Sequence, residues 1–150
     1  MAFVSDLTAH TGYWMRMVSN AVSQDFASRL GAEGVTVAEW CVLRALYDEA
    51  AVAPSALAEK MGLTRGAISK LADRLQAKGL AERGDHPGDR RGQRLFLSAA
   101  GRAKVPVLAA IADRNDADYF GALDPAERES LDRMLKALVD RQRLTRIPLD

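Results

Sequence analysis

The 150-residue chain has few residues of the kind that bind metals or form cross-links. Its one cysteine, Cys41, cannot form an intramolecular disulfide. Its two histidines, His10 and His86, are far apart in the sequence and lack the ligand spacing of a zinc site. We therefore expect no metal ion and no cofactor, and a fold stabilised by packing within and between subunits.

Long apolar segments are also missing. The longest uninterrupted run, Val105 to Ala112, contains Pro106 and is far shorter than the roughly 18 residues that cross a bilayer. The N-terminal residues include Asp6 but neither a basic leader nor a small-residue cleavage site, so no secretory signal is predicted. We expect a cytoplasmic protein without a membrane span.

Catalytic patterns are absent from the sequence as well. There is no Ser, His and Asp arrangement typical of hydrolases and no glycine-rich loop that would hold a phosphate. Both absences argue against an enzyme. Hydrophobic residues make up 48% of the chain, which is enough for one domain with a sizeable core.

The charge that is present is distributed unevenly. The segment Lys60 to Lys104 contains 11 Lys and Arg against 4 Asp and Glu, a net charge of +7, whereas the other 105 residues carry 10 against 16, a net charge of −6. Affinity for nucleic acid comes largely from neutralising phosphates and releasing their counterions. A basic segment on an acidic body therefore indicates a phosphate-binding surface.

Apolar periodicity and capping residues predict a mainly α-helical chain. Thr36, followed three residues later by Glu39, has the pattern of a capping box, and Thr64 is a second N-cap candidate. The predicted helices cover about Ser5–Leu30, Thr36–Asp48, Pro54–Met61, Arg65–Lys78, Ser98–Gly121 and Asp124–Leu144.

A β-hairpin is predicted between the fourth and fifth helices. Two short extended segments, Leu80–Arg83 and Arg94–Ser98, flank a loop rich in Gly, Pro and Asp at Gly84–Gln93. Near the C-terminus, the apolar residues Ile147–Leu149 have no predicted partner close in sequence. Pro106 is expected to bend the fifth helix locally.

Segments spread over the whole chain, taken in order and spacing, resemble the multiple-antibiotic-resistance regulator (MarR) family of bacterial winged helix-turn-helix proteins. They are Val35–Trp40, Leu57–Thr64, Ile68–Leu75, Gly79–Leu80, and Asp89–Arg91 leading into Leu95–Arg102. The resemblance implies a mainly α-helical fold with a small β-hairpin wing, and an all-helical dimerisation region formed by the N- and C-terminal helices.

The resemblance also implies three functional regions along the chain. Residues 1–34 would form a dimerisation helix, 35–98 a winged helix-turn-helix DNA-binding lobe, and 99–150 further dimerisation helices. The protein would be an obligate homodimer, which would give the apolar tail a partner. A two-fold dimer places its recognition helices about one DNA turn apart, so the expected operator is an imperfect palindrome in double-stranded DNA.

The outer face of the fourth predicted helix carries the family positions that meet DNA. We expect Arg65 to contact a guanine edge through two hydrogen bonds, and Gly66 to allow close approach. Lys70 and Arg74 suit phosphate contacts. The remaining candidates on this surface are Thr64, Ser69 and, near the start of the third helix, Ser55.

In the wing, Asp89 and Arg91 match the family pattern of Asp, any residue, Arg. Arg91 is expected in the minor groove, with Asp89 holding its guanidinium in one orientation. Arg90 and Arg94 are expected to add backbone contacts. Asp73 is interpreted as a structural residue, paired within its helix with Lys70 or Lys78.

A small-molecule effector is a further expected partner, because family members bind effectors where the dimerisation region meets the DNA-binding lobe. An aromatic ring beside an arginine suits a phenolic or carboxylate ligand. The candidate effector-binding residues are His10, Trp14, Met17, Trp40 and Arg44. An aromatic stripe of this spacing is, however, more often part of a core or an interface.

The leading hypothesis is a dimeric DNA-binding transcriptional regulator, most often a repressor in this family, that is released by an effector. An alternative is a thiol-based oxidant sensor switched at Cys41, although a cysteine beside Trp40 in an apolar helix is usually inert. A third hypothesis, a winged helix that serves only as a protein-interaction module, is disfavoured because Arg65, Lys70 and Arg91 suit DNA.

Overall fold

A computed structural model describes the backbone of residues 2–86 and 89–150, and the side chains of residues 2–85 and 92–150. After a 3₁₀ turn at Leu7–Ala9, the described residues form six α-helices and one antiparallel hairpin. The helices are α1 Thr11–Gly31, α2 Val37–Tyr47, α3 Pro54–Met61, α4 Arg65–Ala77, α5 Ala99–Phe120 and α6 Pro125–Arg141. The strands are β1 Ala81–His86 and β2 Asp89–Leu97.

Local side-chain chemistry begins α2, α3 and α6 where the sequence predicted. Thr36 and Glu39 form a complete capping box at α2, with the Glu39 N–H donating to the Thr36 hydroxyl at 3.1 Å. A second capping box joins Asp124 and Glu127 at α6, and Pro54 occupies the first turn of α3. The capping side chains satisfy N–H groups that would otherwise lack partners at a helix start, and a proline in the first turn has no N–H to satisfy.

One hydrophobic core unites α2, α3, α4, the hairpin and the first half of α5. The fully buried side chains include Leu43, Leu46, Leu57, Met61, Ile68, Leu75, Leu95, Val105 and Leu108. The inner faces of α3 and α4 therefore pack into this core. Val52, in the loop before α3, also exchanges two backbone hydrogen bonds with Leu95 of β2, which ties that loop to the hairpin.

Four predicted boundaries were wrong. The strands extend to His86 and from Asp89, so the paired part of the hairpin is longer than its Gly- and Pro-rich sequence indicated. The pairing continues because the register shifts between Gly84 and His86, an irregularity that accommodates extra residues. The last helix ends at Arg141 rather than near Leu144, and the first α-helix begins at Thr11 after the 3₁₀ turn.

The start of α5 is joined tightly to the lobe before it. The Ser98 hydroxyl donates to the Gly79 carbonyl at 2.6 Å and accepts from the Gly101 N–H at 3.0 Å. Gly101 packs against the Leu80 carbonyl so closely that a Cβ atom there would lie 1.9 Å from this oxygen. Arg102 donates to the Tyr47 carbonyl at 3.1 Å. These contacts join the start of α5 to α2 and to the turn before β1.

The other half of α5 packs on α1. The Asn115 amide donates to the Val22 carbonyl at 3.2 Å, and the Tyr119 hydroxyl donates to the Ala21 carbonyl at 3.1 Å. In contrast, α6 has no buried residue and makes little contact with the other described elements. Its apolar side chains are exposed, as are several on α1; both helices thus present uncovered apolar faces.

The tail after α6 packs on its own chain, whereas the expectation was that a second subunit would give it a partner. Ile147 and Leu149 are half-buried and pack against the core of the same chain. The Ile147 N–H donates to the Met61 carbonyl at 3.4 Å. No local pattern indicates this partner, because the two segments are separated by more than 80 positions.

Candidate nucleic-acid interface

Helix α4 is the centre of the candidate site, and Thr64 fixes where it begins. The Thr64 backbone is extended, and its hydroxyl accepts a hydrogen bond from the Ala67 N–H at 3.1 Å. Ile68, Leu71 and Leu75 are buried on the inner face. This anchoring leaves the opposite face of the helix directed outward.

The outward face carries the residues predicted to meet DNA. Arg65, Gly66, Ser69, Lys70 and Arg74 are all exposed, and so is Thr64 at the helix start. Ser55 is exposed in the first turn of α3. The structure therefore collects these side chains on one accessible surface, with cations at both ends of α4.

An arginine from the hairpin fastens β1 to this helix. The Arg83 guanidinium donates to the Ser69 carbonyl at 2.6 Å and forms an ion pair with the Asp73 carboxylate at 2.8 Å. Asp73 is thus structural, but its pairing with Lys70 or Lys78 was wrong. No local sequence signal identifies this partner, because Arg83 lies ten positions from Asp73 and on a different element.

A second ion pair fastens the C-terminal end of α4 to the start of α2. Lys78 Nζ lies 2.7 Å from Glu39 Oε1 and donates to the Gly34 carbonyl at 2.8 Å. The same Glu39 oxygen accepts from the Thr36 N–H at 2.8 Å. Sequence reasoning found the capping box but missed that its glutamate also holds the recognition helix.

The Glu39 side chain is almost wholly buried, at 1% exposure. Burial is the largest single influence on its pKa and raises it, but hydrogen bonds from Lys78 and Thr36 and the Lys78 charge together hold the pKa below its ordinary value. Glu39 therefore stays ionised at neutral pH. Its second oxygen, Oε2, is buried and has no hydrogen-bond partner among the described residues, which leaves the carboxylate dependent on Lys78.

The predicted wing contacts lie mostly beyond what the structure describes. The side chains of Asp89, Arg90 and Arg91 are outside the described residues, so their roles stay predictions. Arg94 is half-buried on β2 and donates to the Gln93 carbonyl at 3.3 Å.

Comparison with known proteins gives this surface its context. A MarR family model matches residues 33–92, the segment that contains α2 to α4 and most of the hairpin. A transcriptional regulatory protein assigned to the hcr operon of Thauera aromatica is 30% identical over 88% of this chain and 80% of its own length. The chain belongs to the MarR family of transcriptional regulators.

Solved structures support the same assignment. MarR of Escherichia coli, as a cysteine-to-serine mutant complexed with operator DNA, is 25% identical, with a TM-score of 0.73 over 85% of this chain and 92% of that one. BpsR of Bordetella bronchiseptica, whose DNA binding is regulated by 6-hydroxynicotinic acid, is 25% identical, with a TM-score of 0.77 over 92% and 99%. The winged helix-turn-helix fold expected from the sequence is confirmed.

The candidate effector residues of this MarR-family chain do not line one cavity. A groove of about 660 Å³ runs between α1, the turn after α5 and α6, and Trp14 lines it together with Tyr119 and Phe120. His10, Met17, Trp40 and Arg44 are not among its described lining residues.

Trp14 and Arg44, two of the candidate effector residues, each contact other residues of the chain. The Trp14 indole N–H donates to the Thr8 carbonyl at 3.0 Å, near the start of α1. Arg44, on α2, pairs with Asp48 at 2.9 Å and lies over the Tyr47 ring. An effector role for any of them stays a prediction.

Cys41 contacts the C-terminal segment of the chain. It is half-buried on α2, and its thiol donates to the Pro148 carbonyl at 3.6 Å. Burial raises the pKa of this thiol, which disfavours the thiolate that oxidants attack. The environment thus gives the oxidant-sensor alternative no support.

Within the described part of the chain, no group of three or more His, Cys, Asp or Glu side chains is placed to hold a metal ion. None of the described helices is both long and apolar enough to cross a membrane.

Proposed function

We propose that this regulator is a homodimeric repressor that binds an imperfect palindrome in double-stranded DNA and is released when a small effector binds. The observation that carries the proposal is the outer face of α4. Its exposed polar residues lie on a helix that is capped at Thr64 and fastened by two ion pairs, from Arg83 to Asp73 and from Lys78 to Glu39. A rigid, exposed and basic helix suits the major groove.

Within this surface we assign different roles to different side chains. Arg65, in the first turn, is the base-reading residue, because its planar guanidinium can donate two hydrogen bonds to a guanine edge. Thr64, Gly66 and Ser69 line the same approach. Lys70, Arg74 and Ser55 contact phosphates and carry no sequence information.

For the hairpin, we propose that Arg91 enters the minor groove with Asp89 as its orienting partner, and that Arg90 and Arg94 contact the DNA backbone. A narrow A·T-rich groove attracts such a cation through its enhanced negative potential. The wing would then extend each half-site beyond the bases that α4 contacts.

The distribution of exposed apolar side chains supports the homodimer. All the large hydrophobic residues that are exposed among the described side chains lie in residues 1–34 or 99–150, which we propose as the dimerisation region, and none lies in the DNA-binding lobe at 35–98. They are Phe3, Val4, Leu7, Trp14, Met15, Met17, Val18, Val107, Met134, Leu135, Leu138, Val139 and Leu144. Uncovered apolar surface of this extent is typical of a protein interface.

An aromatic or phenolic carboxylate is the effector class that we propose. The ring acid named for the similar BpsR supports that class, and Trp14 offers a ring for stacking. His10, Met17, Trp40 and Arg44 remain candidates for the same role. Such a ligand releases the operator only if it binds the DNA-free state more tightly than the DNA-bound one.

Operator binding by purified protein tests the central proposal. Promoter fragments, beginning with the chain's own promoter, should include one that is bound tightly, with affinity that falls steeply as salt is raised. Arg65→Ala should lose ~1 to 3 kcal/mol of discrimination at one base pair, whereas Arg133→Ala, which removes an exposed arginine from α6, should change little. Equal losses on every sequence would refute the base-reading role of Arg65.

A further inference from the structure

The chain reverses direction at the end of α6. Arg143 has a φ of 53°, and it is the one non-glycine residue with positive φ among those described. The Leu144 N–H donates to the Val139 carbonyl at 3.0 Å and the Arg143 N–H to the Asp140 carbonyl at 3.2 Å. This pair of bonds is a Schellman motif, and it directs the tail, residues 145–150, away from the axis of α6.

The tail then lies on the DNA-binding lobe, at the end of α3. The Ile147 N–H donates to the Met61 carbonyl, one of the groups that a helix end leaves without a partner. The Pro148 carbonyl accepts from the Cys41 thiol of α2. Ile147 and Leu149 pack against the core. Two helices of the lobe thus hold the tail through its backbone and its apolar side chains.

Gly62 is shaped for this contact. Its φ of 65° is a left-handed conformation that ends α3, and glycine adopts it without strain. Independently, a Cβ atom at position 62 would lie 2.6 Å from the Thr145 carbonyl oxygen and 2.9 Å from the Arg146 Cα. The turn and the tail therefore approach each other as bare backbone, and any side chain at this position would push them apart.

The location of this contact matters because Gly62 is followed, two residues later, by Thr64, the residue that begins the recognition helix. We propose that Ile147 and the neighbouring residues of the tail are positioning residues for DNA binding. The tail holds the turn before α4 in a fixed position relative to α6. This inference rests on the proposed DNA-binding function. Under this proposal, the contacts of the tail with Met61 and Gly62 connect the C-terminal helix α6 to the recognition helix α4.

Cys41 provides a native probe of the seated tail, because it is the one cysteine of the chain. Its labelling by an aromatic disulfide reagent should accelerate about tenfold when the tail is released by Ile147→Asp or by truncation after Leu144. Thr145→Ala, which trims an exposed side chain of the tail, is the matched control. Unchanged labelling in both tail variants would show that the tail is not seated and would overturn the proposal.

Operator affinity is the second measurement. Ile147→Asp should weaken operator binding about tenfold, or ~1.4 kcal/mol, while circular dichroism and the urea midpoint show that the chain remains folded. Gly62→Ala disturbs the same contact from the opposite side. Gly12→Ala is its control, because Gly12 lies outside the lobe and has no atom within 4 Å of an added Cβ. Faster labelling with unchanged operator affinity would overturn the positioning role.

Linkage separates positioning from a purely structural role. If the seated tail strengthens operator binding by some factor, operator binding must favour the seated tail by the same factor. Saturating operator DNA should therefore slow Cys41 labelling in the wild-type chain, and labelling unaffected by operator would refute the coupling. A wild-type chain without sequence preference in DNA binding would refute the proposed function instead, while the labelling rates would still report whether the tail is seated.

Discussion

The ammonium group of Lys78 and the buried carboxylate of Glu39 lie 2.7 Å apart and join the end of the recognition helix to the start of α2. Removing the cation while leaving the carboxylate buried exposes the full cost of desolvating that charge. We expect Lys78→Met to lower the free energy of unfolding by about 1 to 3 kcal/mol, measured by urea denaturation at neutral pH. Lys60→Met, at an exposed lysine of α3, should have little effect. Equal stability of the two variants would contradict the role of the pair.

The same pair predicts a dependence of stability on pH. The pKa of Glu39 is lower in the folded chain than its ordinary value near 4.5. Its ionised form therefore stabilises the fold above the unfolded pKa, and this contribution is lost as the pH falls through the folded pKa. Between pH 7 and pH 3, the free energy of unfolding should fall more steeply for the wild type than for Glu39→Gln. Parallel curves would show that Glu39 gains nothing from its charge.

The ion pair between Arg83 and Asp73 predicts a different balance of effects. Both side chains are partly exposed, so their loss should lower the free energy of unfolding by less than about 1 kcal/mol. Operator affinity should fall more, because the wing and α4 would no longer be fixed relative to each other. A double-mutant cycle with Arg83→Gln and Asp73→Asn, measured by operator binding, should show that the two effects are not additive. Additive losses would mean that the two residues act independently.

Gly101 predicts a steric effect on the whole fold. A side chain there would collide with the Leu80 carbonyl, so Gly101→Ala should destabilise the chain by about 1 to 3 kcal/mol. Gly12→Ala is the matched control, because Gly12 is helical and has nothing within 4 Å of an added Cβ; alanine should be neutral or stabilising there. Thermal unfolding of the two variants measures both effects. A stable Gly101→Ala protein would show that α5 and the hairpin can separate without cost.

Local signals explain what the sequence could predict. The capping boxes at Thr36 and Asp124, the cap at Thr64 and the glycine that ends α3 each depend on residues within four positions of one another. The capping box at Thr36 and the cap at Thr64 were predicted correctly. The helices of the fold could also be predicted, because the apolar residues of α3 and α4 recur at the spacing of one buried helix face.

The incorrect predictions concern contacts between residues that are far apart in the sequence. The partner of Asp73 comes from β1, and the partner of Ile147 comes from α3, so both depend on how distant segments pack. No periodicity or capping rule contains that information. The hairpin is also longer than predicted, because its glycines and aspartates indicate a loop while backbone pairing depends little on side chains. For the site, the exposed face of α4 was predictable, but the two ion pairs that hold it were not.

Because Ser98 and Gly101 join the start of α5 tightly to the hairpin, a tilt of the lobe displaces the far end of α5. Its 22 residues span about 33 Å at 1.5 Å per residue. A tilt of only about 5° around that junction corresponds to ~3 Å of sideways travel at the far end, close to the radius of one helix backbone. Small shifts among the distal helices therefore correspond to small changes in the angle of the winged-helix lobe, and large reorientations of the lobe require correspondingly large displacements beyond Phe120.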